Sequence, residues 1–427
     1  MFADAKSFQL SSRTFLISSL LLTLAACDGS SHSNEGKPNQ SHQHEKIDSA
    51  GRLLISAADS ALVHVYDIKQ QRPLSSFDTK LPIQAIYASP NNRYGVVVHR
   101  ADNKVSFIDG GLWQEDHGDH DHDYQQTPKL LSFQLQGPAP THYEAHQTQA
   151  AIFFDGATNP AQASQVQLIS DDSISKSQVS GQLNLARNMH GTAEPRGQHL
   201  LVTYRPASAS NTLPTQVEWY QRNGSSYSLV EKFAEQCPGL HGSYSNKDYS
   251  MFGCTDGVLV VEQKADKMIA SKIVNPPAMA GRIGTITGHK NLNSMIGFAG
   301  QDMYLLDPTA KTMTLVNWRD NSQVTRVAFS MSGKGDYFGL LDNTGRLTVL
   351  NVQAGFGLQG RTALLTSLSS TNPPVIAANL QNNDIFVTDT ANQQIFKVDL
   401  SNLNTSTIKL NFTPAKMHWV GIPNPAK

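Results

Sequence analysis

The sequence predicts an all-β fold of the β-propeller class, WD40/YVTN-like. Two observations predict it: short β-rich runs recur at a near-constant period, and no long stretch shows helical periodicity. The runs are Val63–Asp67, Val105–Asp109, Val166–Ser170, Val217–Tyr220, Val258–Glu262, Met303–Asp307, Leu347–Asn351 and Ile395–Asp399, and most close on Asp, Asn or Glu. Their closing residues are separated by 42, 61, 50, 42, 45, 44 and 48 positions. A period of ~40 to 50 residues with turn residues between strands is that of a four-stranded blade. Eight such units fit from Ile47 to the C-terminus; seven fit if a terminal strand closes the ring from the opposite end.

Composition narrows the function. The 427 residues carry 34 Lys and Arg against 35 Asp and Glu, a net charge of −1, so there is no basic footprint for nucleic acid. With 39% hydrophobic residues, the body is not that of a multi-span membrane protein. The unusual counts are 15 His and 3 Cys.

The N-terminus reads as an address. Lys6 and Arg13 precede the apolar run Phe15 to Leu24, too short to span a bilayer but suited to an export signal. The run ends Leu24-Ala25-Ala26-Cys27, which resembles a bacterial lipobox. Residues 1–26 are then a lipoprotein signal peptide, with Cys27 the lipidated first residue of a periplasmic, membrane-tethered protein; Asp28 suggests the inner membrane. Residues 27–47 are polar and predict a flexible tether. It carries His32, His42 and His44, either a weak secondary metal site or plain linker. Residues 48–427 form a single propeller domain. Cys237 and Cys254, 17 positions apart, most often close a disulfide in an oxidising compartment.

The one oversized gap, 61, holds an inserted loop at 113–127 that is rich in His and Asp. His117, His120 and His122 lie within six residues, interleaved with Asp119, Asp121 and Asp123. Imidazole and carboxylate suit a near-tetrahedral Zn²⁺ site where thiolates are absent. Gly118 permits a tight reversal between His117 and His120, and the Asp side chains either ligate or accept the second ring N–H of a ligand His. Calcium wants six to eight oxygens, whereas copper and nickel share the ligand type. A solvated surface tract is the competing reading.

His142, His190, His241 and His289 are separated by 48, 51 and 48, close to the blade period. Equivalent blade positions would put them around the channel mouth, where His190 or His241 could complete the loop's set. A His in such a turn also serves simply by bonding a neighbouring strand.

Catalytic motifs are few. There is no G-x-S-x-G, H-E-x-x-H or P-loop. Gly355, Gly357 and Gly360 match G-x-G-x-x-G without a surrounding βαβ unit, as a turn between strands would. A metal-dependent propeller hydrolase or lactonase is the alternative function.

Several strings together resemble the AztD family, periplasmic zinc metallochaperones of the Azt zinc-import system. They are Ile108-Asp109-Gly110-Gly111, Glu115-Asp116-His117-Gly118-Asp119-His120, Phe153-Phe154-Asp155-Gly156, Cys237-Pro238-Gly239-Leu240-His241-Gly242 and Phe252-Gly253-Cys254-Thr255-Asp256-Gly257-Val258-Leu259. The resemblance implies a non-enzymatic propeller that binds Zn²⁺ and passes it to the solute-binding protein of a zinc ABC importer. It also implies that Cys237 and Cys254 are paired. Asp121-His122-Asp123 and the lipobox go beyond the family pattern.

Overall fold

Each of the eight periodic runs becomes the third strand of a four-stranded antiparallel sheet in the computed structural model, which describes residues 46–118, 120–279 and 281–423. Their side chains are apolar because this strand is covered on both faces by neighbouring blades. Val105, Phe107 and Ile108, for example, are all fully buried. Within the described residues there are eight such sheets, so the propeller has eight blades. The only helical pieces among them are a 3₁₀ turn, Arg100–Asp102, and a one-turn helix, Asp171–Ser175.

A blade is built from consecutive strands. In the second blade the order is Ala85–Ala88, Tyr94–His99, Lys104–Asp109 and Lys129–Gln136. First strands of neighbouring blades lie side by side around the ring, as Pro140–His146, Ala193–Arg196 and Ser243–Ser245 do, so they are innermost. The first blade departs from this pattern. Its strands Arg52–Ala57, Leu62–Asp67 and Arg72–Asp78 are completed by Pro414–Val420 from the opposite end of the chain, paired to Arg52–Ala57 with Leu53 opposite Trp419. That strand closes the ring and settles the count at eight rather than seven. Gly51, at φ +82°, makes the closure possible, since a Cβ there would lie 2.2 Å from the Trp419 indole nitrogen.

The core lies between blades rather than at the axis. Tyr94, Val96 and Phe107 of the second blade pack against Ile152, Phe154 and Ile169 of the third. Leu53, Ile55 and Trp419 seal the first blade against Phe386 and Ile395 of the last. Each fully buried side chain of this size contributes about 1.5–3 kcal/mol, so successive blades hold one another in register.

Two features bear on the site. Cys237 and Cys254 are joined in a disulfide, both fully buried, with Cα atoms 4.8 Å apart. The bridge ties the segment entering the fifth blade to that blade's second strand, Tyr249–Cys254. The loop predicted at 113–127 is an antiparallel hairpin, Leu112–Asp116 with Asp121–Gln125, inserted between the third and fourth strands of the second blade. Gly355 sits in the expected turn at φ +64°, whereas Gly357 and Gly360 lie in the outer strand Gly357–Ala363 that follows it.

Candidate metal centre

Three consecutive inner strands begin at the same face, and each brings a histidine there. His142 lies near the start of Pro140–His146, next to a bulge that shifts the register between Pro140 and His142. Bulges re-aim side chains, and this one turns the ring toward the next blade. His190 precedes Ala193–Arg196, held by its N–H donating to the Thr212 carbonyl at 2.9 Å. His241 precedes Ser243–Ser245, its N–H donating to the Gly253 carbonyl at 3.0 Å.

The hydrogen bonds on the far side of each ring decide the chemistry. His142 donates Nδ1–H to the Gly191 carbonyl at 2.7 Å, and His241 donates Nδ1–H to the Gly284 carbonyl at 2.8 Å. His190 donates Nδ1–H to Asp155 Oδ2 at 2.9 Å. A carbonyl or carboxylate can only accept, so each ring in its neutral form carries its proton on Nδ1 and leaves Nε2 to ligate. The Nε2 atoms of His190 and His241 are 3.2 Å apart, and one ligand atom from each of the three rings lies within 4.8 Å of the others. Lone pairs this close repel unless a cation stands between them. Two nitrogens at ~2.0–2.1 Å on a tetrahedral Zn²⁺ would be separated by about 3.3 Å.

Electrostatics agree. Burial, then the neighbouring His190, lowers the His142 pKa to about 4, and burial also lowers that of His241. His142 is therefore neutral and ready to ligate at pH 7.

Deeper in the channel, the same strands carry a carboxyl pair. Glu194 accepts from Ser245 Oγ at 2.7 Å, and burial raises its pKa to about 7. Glu144 is raised further, by burial and by Glu194. The raised Glu194 pKa means that its protonated form contributes stability below the ordinary value of 4.5, and that this contribution is lost as pH rises through about 7. Glu194→Gln is expected to melt higher than wild type above pH 7 and to match it below pH 4.5, a comparison that thermal melts across this range would make.

The inserted hairpin gathers a second trio. Glu115 pairs with His122 across it, and the His117 N–H donates to the His120 carbonyl at 2.9 Å to close the turn. Gly118 takes φ +91°, the reversal expected of it. Ring centroids of His117, His120 and His122 lie 4.5–5.8 Å apart, and the Nε2 atoms of His120 and His122 are 2.7 Å apart. The base is stiff: the Arg93 guanidinium stacks 3.7 Å from the Trp113 ring and bonds Asp109, which also accepts from Gln126 Nε2 and the Gly111 N–H. Asp109→Asn is expected to cost about 2 kcal/mol, because it discharges the acceptor of all these bonds. Urea denaturation would measure it.

The two trios do not combine. The hairpin precedes the outer strand Lys129–Gln136, whereas His142 follows that strand, so the trios lie at opposite faces, on the order of 20 Å apart for eight extended residues. The expectation that His190 or His241 completes the loop's ligand set is thereby corrected; those two converge with His142 instead. His289 is also displaced from its expected place. It follows the inner strand Thr285–Thr287 rather than preceding it, and its Nε2 donates to the Gly333 carbonyl at 3.2 Å on the hairpin's face. The period of 48 was right in length but crossed from one strand end to the other. Cys27, Asp28, His32, His42, His44 and Asp119 lie outside the described residues. Sequence reasoning gave Asp155 no role, although the string Phe153-Phe154-Asp155-Gly156 ends a strand with an acid at a turn, which was the available signal.

No family model matches the chain. A curated protein of Citrobacter koseri, the zinc chaperone AztD, is 26% identical over 380 residues, 87% of each chain. The chain resembles AztD. Two crystal structures of Citrobacter koseri AztD, one of them the apo form, superpose with TM-scores of 0.74 at 24% and 23% identity, covering 86% of this chain and 97% of theirs. The AztD fold is thus this chain's fold over most of its length. A dihydro-heme d1 dehydrogenase, NirN, shares the fold more distantly, at a TM-score of 0.53 and 10% identity.

Proposed function

We propose that this chain is a periplasmic zinc metallochaperone that holds Zn²⁺ on a rigid propeller and hands it to the solute-binding protein of a zinc ABC importer. The observation that carries this reading is the convergence of one ring nitrogen each from His142, His190 and His241, with every ring held from behind by a hydrogen bond at Nδ1. Such outer partners orient ligand rings and raise their basicity. The hairpin trio His117, His120 and His122, with Asp119, is a second and more exposed station. Exposure suits transfer, because a partner's ligands can replace the protein's own one at a time without unfolding the scaffold.

Delivery to an importer places the work at the inner membrane. Lipidation at Cys27 would tether the propeller there, and the tether residues His32, His42 and His44 would be a weak collecting arm. Similarity to a zinc chaperone favours a carrier over the hydrolase or lactonase alternative. The test is to load the full chain with one zinc, mix it with the periplasmic zinc-binding protein of an importer, and follow both metal transfer and ester or lactone turnover. Transfer without turnover is the expected result. Turnover without transfer would overthrow the carrier reading.

A further inference from the structure

Arg100 begins the 3₁₀ turn after the strand Tyr94–His99, at the face that holds His142, His190 and His241. Its Nη2 donates to Asp155 Oδ2 at 2.9 Å, the same oxygen that accepts Nδ1–H from His190, also at 2.9 Å. The other oxygen, Oδ1, is buried and has no hydrogen-bond partner. Asp155 itself is 8% exposed, and its backbone is pinned: its N–H donates to the Ala139 carbonyl, and its carbonyl accepts from Ser164 Oγ and the Met189 N–H. The carboxylate therefore cannot easily turn to separate its two partners.

This sharing has a consequence for metal. A carboxylate behind a ligand imidazole draws on the ring's N–H and makes Nε2 a better donor. A guanidinium on the same oxygen withdraws part of that negative charge. The carboxylate behind His190 thus shares its charge with the Arg100 guanidinium.

We infer that Arg100 is a positioning residue that acts through Asp155 and His190 to loosen the site's hold on its metal, favouring release over storage. The inference rests on the proposed carrier reading and concerns how that site is regulated. A residue that merely supported the fold would weaken binding when replaced, whereas this role predicts the opposite sign.

The experiment uses the full chain with His117, His120 and His122 replaced by Ala, so that one site is read. Zinc affinity is measured by competition with a chromophoric chelator, and release by chelator chase. Arg100→Gln is expected to tighten zinc binding about tenfold, mostly through slower release, because removing an outer partner shifts affinity 10–100-fold and this removes an opposing one. Arg100→Lys, which keeps the charge, is expected to stay near the parent. In an Asp155→Asn background the Arg100→Gln effect should vanish. Unchanged or weaker binding by a folded Arg100→Gln variant, or tightening that persists without Asp155, overturns the inference. His142→Ala in the same background separates the two readings: if it leaves zinc affinity intact the site itself is wrong, whereas if it abolishes binding while Arg100→Gln does not tighten, only the role of Arg100 fails.

Discussion

Zinc affinity at the channel mouth is expected to fall more than about 100-fold in His142→Ala, exceeding the 10–100-fold typical of losing only an outer partner. The reason is geometric. With His142 gone, His190 and His241 still face each other at 3.2 Å, but two ligands do not make a zinc site, and water must supply the rest. The ring is half-buried and its one bond goes to the Gly191 carbonyl, so the fold should survive. His142→Gln, which can still donate to that carbonyl, is the control for local collapse and should lose zinc equally. Isothermal titration on the background with His117, His120 and His122 replaced by Ala would measure both. Wild-type affinity in either variant would remove His142 from the ligand set.

The second large effect concerns the disulfide. Replacing Cys237 and Cys254 together by Ala is expected to cost ~3 kcal/mol, the loop-closure entropy that a 17-residue cross-link removes from the unfolded chain. Both sulfurs are fully buried beside Phe252 and Leu240, so alanine leaves no unpaired polar group to confuse the measurement. A function follows as well. His241 lies inside the cross-linked loop, four residues after Cys237, so loosening the loop should also weaken zinc binding. Urea denaturation with and without reductant, on the wild type and the double variant, tests the stability part. A midpoint insensitive to both changes would contradict it.

The histidines show where reading along the chain works and where it stops. The hairpin trio was legible because its members are neighbours in sequence, and a reversal at Gly118 needs no information from elsewhere in the molecule. The channel trio was only half legible. The spacing of His142, His190 and His241 marks equivalent blade positions, but equal spacing cannot say which end of a strand a residue occupies. His289 has the same interval and stands at the opposite face, because the inner strand of its blade begins earlier relative to the histidine.

Chain composition and periodicity by themselves determined a propeller of four-stranded blades, since an apolar run buried on both faces every 47 or so residues has no other economical packing. They also determined that the inserted segment stands apart from the repeat. Only the tertiary structure decided the ring closure by Pro414–Val420, the separation of the two histidine trios, and the placing of Asp155 and Arg100 behind His190. The physical reason is common to all three. Each depends on contacts between strands far apart in sequence, where one shift of register turns a side chain from one face of the sheet to the other.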